Sequence, residues 1–70
     1  MIKSKLKVLL AENEITQQQL ADKIGTRQAT ISNICNNNIK QIPVDIVNNI
    51  CKLFNCDISD IFIYKPDNDN

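Results

Sequence analysis

Apolar residues recur with helical spacing near both ends of the chain. Over residues 2–13, one face of a helix would be apolar and lysines would surround the other; the apolar set is Ile2, Leu6, Leu9 and Leu10. The same spacing returns after Pro43, a residue that suits the first turn of a helix. The pattern predicts an amphipathic first helix from Ile2 to Asn13 and a fourth helix that runs to about Phe54.

The middle of the chain carries strong local signals for two short helices. Thr16 is a good N-cap and Gln19 follows three residues later, as in a capping box. Gly25 can end that helix in a left-handed conformation. We therefore predict a second helix from Gln17 to Ile24 and, after a short turn, a third helix from about Gln28 to Cys35.

The C-terminal part predicts a short fifth helix. Asp57 can cap a helix from Ile58 to Phe62, and the two residues after it suit an extended segment. Residues 65–70 are polar and are expected to form a tail. The predicted fold class is all-α: a five-helix domain over residues 1–64, with a possible extended segment at its end.

Composition narrows the possible functions. The chain has 70 residues, no histidine and equal numbers of basic and acidic residues, 8 of each. It shows no signal-peptide pattern, no apolar run long enough for a membrane span, and no catalytic constellation. We therefore expect a cytoplasmic protein without enzyme activity, metal or other cofactor, and without an evident small-molecule ligand.

The three cysteines, Cys35, Cys51 and Cys56, do not form a CxxC pair. An odd number argues against a disulfide framework, so we expect buried free thiols. A redox switch at Cys35 is a less favoured alternative, because oxidation at the end of the third helix would disturb whatever that helix contacts.

The second and third helices, joined by a tight turn, have the physical description of a helix-turn-helix. The outer face of the third helix carries amide side chains such as Gln28 and Asn33, which can form paired hydrogen bonds with adenine. Ala29 can contact a thymine methyl group, and arginine prefers guanine. Gln17 and Gln18 begin the second helix, where the helix dipole favours a phosphate.

The segment "TQQQLADKIGTRQATISNICNN" resembles the helix-turn-helix of the lambda-repressor/Cro family, also called the xenobiotic-response-element family. The matching positions are Thr16, Gln17, Leu20, Ala21, Gly25, Thr30, Ile31, Ser32, Ile34 and Asn36. The segment departs from the family pattern in two places. Arg27 stands where a serine or threonine N-cap is usual, and Cys35-Asn36-Asn37 replaces an acidic-Asn-Gly ending.

The resemblance implies a sequence-specific regulator of transcription that binds double-stranded DNA. It implies base contacts by Arg27, Gln28, Ala29 and Asn33. Together with the residue chemistry, it gives a set of candidate phosphate contacts: Gln17, Gln18, Thr30, Asn36 and Lys40. In family members the glutamine at the position of Gln17 also braces the residue at the position of Gln28.

Compact members of the family commonly dimerise through the fifth helix and the residues after it. The resemblance thus implies a homodimeric repressor of bacterial or phage origin that binds an inverted repeat. Its candidate interface residues are Ile58, Ile61, Phe62, Ile63 and Tyr64. The zero net charge leaves an alternative open: the same scaffold could act as a protein-interaction module, such as an antitoxin or an anti-repressor.

Overall fold

Four α-helices lie between two short strands in the computed structural model, which describes residues 1–66. The elements in chain order are β1 (Ile2–Ser4), α1 (Leu6–Glu12), α2 (Gln17–Ile24), α3 (Gln28–Cys35), α4 (Val44–Phe54), a 3-10 helix (Ile58–Asp60) and β2 (Phe62–Tyr64). The protein is therefore mostly helical with a small two-stranded sheet.

The two central helices have the predicted bounds, and the predicted capping box is confirmed. The Gln19 N–H donates to Thr16 Oγ1 at 3.0 Å, and the Thr16 N–H donates to Gln19 Oε1 at 2.8 Å. These bonds satisfy two N–H groups that a helix start otherwise leaves unpaired. Gly25 is left-handed, with φ 71°, and ends α2 as expected.

All four α-helices end in the same way. Each is followed by a left-handed residue: Glu14 (φ 56°), Gly25 (71°), Asn37 (60°) and Asn55 (52°). In each case the next N–H donates to a carbonyl five residues earlier, at distances from 2.8 to 3.1 Å; the pairs are Ile15–Leu10, Thr26–Ala21, Asn38–Asn33 and Cys56–Cys51. This is the Schellman arrangement, which turns the chain sharply and keeps the helices short.

The prediction for the first helix was wrong over its first four residues. Ile2–Ser4 is a strand that pairs antiparallel with β2, so that Ile2 lies opposite Tyr64 and Ser4 opposite Phe62. Ile2 is 57 % exposed and does not belong to the apolar face of α1. The helical spacing of the apolar residues 6–10 extends by chance to Ile2. The backbone pairing of Ile2–Ser4 with β2, about sixty residues away, outweighs this local preference for a helix.

The predicted five-helix count was also wrong. The fifth helix is a single 3-10 turn at Ile58–Asp60, and Phe62 belongs to β2. Asp57 is the N-cap residue of this turn, and its backbone N–H donates to Asp60 Oδ2 at 3.0 Å, the reciprocal bond of a capping box. The extended segment expected at Ile63 and Tyr64 is confirmed as part of β2.

The core is aliphatic and includes residues from all four α-helices. Its buried members are Leu6, Leu9, Leu10, Leu20, Ala21, Ile31, Ile34, Cys35, Val47, Ile50 and Ile61. The backbone pairing of the strands reaches Lys65, whose N–H bonds to the Met1 carbonyl at 2.8 Å. Of the predicted tail, residues 67–70 lie outside the described part.

Candidate nucleic-acid interface

Helices α2 and α3 share the most extensive helix–helix contact of the protein. Leu20 and Ala21 of α2 and Ile31 and Ile34 of α3 are all fully buried in the common core. The small side chain of Ala21 allows the two backbones to approach closely, and only Thr26 and Arg27 separate Gly25 from α3. This packing fixes the outer face of α3 relative to the rest of the domain.

The outer face of α3 is polar and open to solvent. Arg27, Gln28, Ala29 and Asn33 are all exposed, as expected for residues that read bases. Arg27 is the N-cap of α3, and its side chain makes no capping hydrogen bond. A guanidinium has no acceptor atom, so Arg27 cannot cap the N–H groups of the helix start.

The start of α2 presents its glutamines in different ways. Gln17 is half-buried and Gln18 is exposed. The Gln18 amide donates to Asp22 Oδ1 at 2.9 Å, so Gln18 would have to give up this bond to donate to a phosphate. The family resemblance implies that Gln17 braces Gln28. Within residues 1–66, no hydrogen bond joins the side chains of these two residues.

The polar residues after α3 are partly tied together. The Asn36 amide donates to Ser32 Oγ at 3.3 Å, and both Asn36 and Lys40 are exposed. Asn37 Oδ1 accepts a hydrogen bond of 2.6 Å from the Ser4 N–H of β1. Sequence reasoning missed this contact, because 33 residues separate its partners and no local signal marks it. Thr30 is half-buried on α3.

Carboxylates are scarce in the segment of the chain that carries this surface. Helix α3 contains no acidic residue, and the first turn of α2 has none. Between residues 16 and 42 the sequence has Lys23, Arg27 and Lys40 but only one acid, Asp22. Five aspartates instead lie after residue 43. The zero net charge thus hides a mildly basic segment, which suits an approach to phosphates.

Cys35 occupies the last position of α3 and is buried, at 5 % exposure. Burial raises the pKa of its thiol, and the positive charge of Lys7 offsets this only in part. The thiolate is the reactive form, so little of it exists near neutral pH. Cys51 and Cys56 are half-buried, and all three cysteines are free thiols.

The candidate dimer residues differ in exposure. Ile58 is 53 % exposed and Tyr64 is 69 % exposed, whereas Phe62 and Ile63 are half-buried. Ile61 is fully buried in the core of the single chain. Sequence reasoning missed Val44, which is 73 % exposed and lines, with Ile58, an apolar cavity of about 230 Å³.

Among residues 1–66 there is neither a helix that could span a membrane nor a cluster of metal ligands. The described helices lack the length and apolar character that a membrane span needs; the longest, α4, has 11 residues. The cysteine and carboxylate side chains of this part form no group of three that could hold a metal ion.

These features define a helix-turn-helix domain: two short, closely packed helices, a left-handed glycine between them, and an exposed polar face on the second. Residues 5–67 match the family of Cro/C1-type helix-turn-helix DNA-binding domains. The chain belongs to this family, whose named relatives are transcriptional regulators.

Two curated relatives and one solved structure are similar to the chain. It is 44 % identical over 55 residues to the competence pilus inhibition repressor of Acinetobacter baylyi; the match covers 79 % of this chain and 49 % of that repressor, about half its length. It is 31 % identical over 62 residues to the HTH-type transcriptional regulator YozG of Bacillus subtilis, covering 89 % of this chain and 74 % of YozG. A crystal structure of a proposed DNA-binding protein from Bacteroides fragilis superposes with a TM-score of 0.77 at 32 % identity, covering 90 % of this chain and 100 % of that one.

Proposed function

We propose that this protein is a sequence-specific regulator of transcription, of the repressor type, that reads the DNA major groove with α3. The exposed polar face of Gln28, Ala29 and Asn33 carries the proposal. Amide side chains can pair with adenine N6 and N7, and a methyl side chain can contact thymine. No carboxylate on α3 opposes the approach of phosphates. The name of the Acinetobacter relative supports a repressing effect.

Phosphate contacts would hold α3 in register on the duplex. In our proposal Gln17, Thr30, Asn36 and Lys40 supply them, and Gln18 helps after releasing Asp22. Such contacts orient a protein without reading sequence. Arg27, which is exposed at the N-cap of α3, extends base reading toward a guanine.

We further propose that two copies bind an inverted repeat. The exposed side chains of Ile58 and Tyr64 would become buried in the dimer interface, and Phe62 and Ile63 would complete the contact. Ile61 would support this surface from the core, because it is already buried in one chain. A two-fold pair would place two α3 helices about 34 Å apart, one turn of DNA. Sedimentation tests this: a monomer at micromolar concentration with full operator affinity would contradict it.

Selection of bound sites from random double-stranded DNA tests the function directly. We expect an enriched inverted repeat, and binding that weakens steeply as salt rises because phosphate contacts release counterions. Failure to enrich any sequence at low salt would refute sequence-specific binding.

Three matched substitutions test the residue roles. Gln28→Ala should cost about 1–3 kcal/mol on the selected site and relax its base preference at one position. Gln17→Ala should weaken binding to all sequences alike. Asn49→Ala, an exposed amide on α4, is the control and should change neither property. Equal, uniform losses from Gln28→Ala and Gln17→Ala would contradict the assigned roles.

A protein-interaction module is the second candidate. The zero net charge and the exposed apolar side chains of Val44 and Ile58 favour it. In that case the protein would bind a partner protein through this apolar surface, and binding to DNA would be absent at low salt. The two candidates are therefore separated by the same selection experiment.

A further inference from the structure

The side chain of Asn37 connects the end of α3 to the N-terminal strand. Asn37 is the left-handed residue after α3, with φ 60°, and its Oδ1 accepts the Ser4 N–H at 2.6 Å. Neither residue is fully buried. The bond thus joins two segments that are distant in sequence, at the surface, beside the proposed DNA-reading helix.

The Ser4 N–H is available to Asn37 because successive backbone N–H groups of a strand point alternately toward the partner strand and away from it. The backbone groups of Met1 and Lys5 form hydrogen bonds with Lys65 and Ile61, respectively. The backbone N–H groups of these odd-numbered residues therefore point toward β2. Ser4, one position from Lys5, points its N–H to the outer edge of β1. Asn37 supplies the partner that this edge group would otherwise take from water.

The turn at residue 37 does not itself need an asparagine side chain. Glycine adopts a left-handed conformation more readily than asparagine. Asn55 ends α4 with nearly the same geometry, at φ 52°, and its side chain makes no hydrogen bond among residues 1–66. The contact with Ser4 is therefore what distinguishes Asn37 from an ordinary helix-ending residue.

We propose that Asn37 is a positioning residue: its amide holds the end of α3 and the following phosphate-contacting segment against β1. The role rests on the proposed reading of DNA by α3. Without the bond, the segment carrying Asn36 and Lys40 would have to be ordered when DNA binds, and this cost weakens affinity. Because β1 pairs with β2, the bond also links α3 to the strand that carries Ile63 and Tyr64.

Asn37→Gly and Asn55→Gly form a matched pair for the test. Both substitutions replace a left-handed asparagine with glycine, but only Asn37→Gly removes the hydrogen bond to Ser4, here called the tether. In Asn37→Gly we expect the Ser4 amide to exchange with solvent roughly 2- to 10-fold faster, the range set by the loss of one hydrogen bond. Affinity for the selected DNA site should fall by a factor in the same range. Asn55→Gly should change neither quantity.

Binding is measured well below both melting temperatures, so that global unfolding does not contribute. Asn37→Asp, which retains an oxygen acceptor, should keep the Ser4 amide protected. An unchanged Ser4 exchange rate in Asn37→Gly would show that no tether exists. Faster exchange with unchanged DNA affinity would refute the positioning role. Failure of the wild type and Asn55→Gly to bind any DNA would instead refute the proposed function, and the exchange rates would still decide the tether.

Discussion

The capping box of α2 offers a clean test of what holds the helix-turn-helix together. Thr16 and Gln19 are both exposed, so replacing either removes hydrogen bonds without opening a cavity in the core. Thr16→Ala deletes the acceptor that the Gln19 N–H uses at 3.0 Å. Loss of such a cap typically costs about 1 kcal/mol.

The cost should appear in the stability of the whole domain. Helix α2 has eight residues, too few to be stable alone, and it places Leu20 and Ala21 in the core. In a domain of this size, about 1 kcal/mol lowers the melting temperature by roughly 4–8 °C. Thermal unfolding followed by circular dichroism measures this shift.

Thr16→Ser is the matched control, because it keeps the hydroxyl group and should unfold close to the wild-type temperature. Gln19→Ala removes only the reciprocal bond of 2.8 Å to the Thr16 N–H. If the two bonds act as one box, the double variant should lose less stability than the sum of the single variants. A loss for Thr16→Ala no larger than that for Thr16→Ser would refute the capping argument.

Two further predictions concern the backbone and the buried thiol. Gly25→Ala should destabilise the fold by about 1 kcal/mol through left-handed strain alone, because no atom lies within 4 Å of an added Cβ. Gly25→Asn should cost less, as asparagine already occupies this conformation at two other helix ends; equal urea midpoints for both variants would contradict this. Burial raises the pKa of Cys35 above the ordinary 9.0, so the folded state binds its proton more tightly than the unfolded state. The resulting stabilisation is present below pH 9.0 and is lost as the pH rises through the folded-state pKa. The free energy of unfolding, measured with urea at about pH 8 and about pH 10, should therefore fall less between these pH values for Cys35→Ala than for the wild type. An identical loss in both proteins would remove Cys35 as a contributor.

Much of the interface could be predicted from local signals. The bounds of α2 follow from Thr16, Gln19 and Gly25, each of which acts through its own backbone neighbourhood, and the end of α3 follows from the asparagines after Cys35. The exposure of Arg27, Gln28, Ala29 and Asn33 follows from the helical period once Ile31 and Ile34 are assigned to the core. The roles of these residues in binding DNA stay predictions.

Contacts between distant residues could not be predicted in this way. Three-residue strands have no detectable period, and the helical spacing of Ile2 predicts a helix where the structure has a strand. The residues expected in a fifth helix instead complete a sheet with the N-terminus. Likewise, the capacity of Asn37 for a left-handed turn was visible in the sequence, but its bond to Ser4 was not.

The sequence by itself determined where the four helices end and which face of each is apolar, because capping, left-handed turns and helical periodicity act within a few residues. Only the tertiary structure decided that residues 2–4 and 62–64 pair, that Ile61 is buried while Ile58 and Tyr64 remain exposed, and that α3 is joined to β1. The physical reason is that the partners of these groups lie 33 to 62 residues away, and only the packed core brings them within bonding distance.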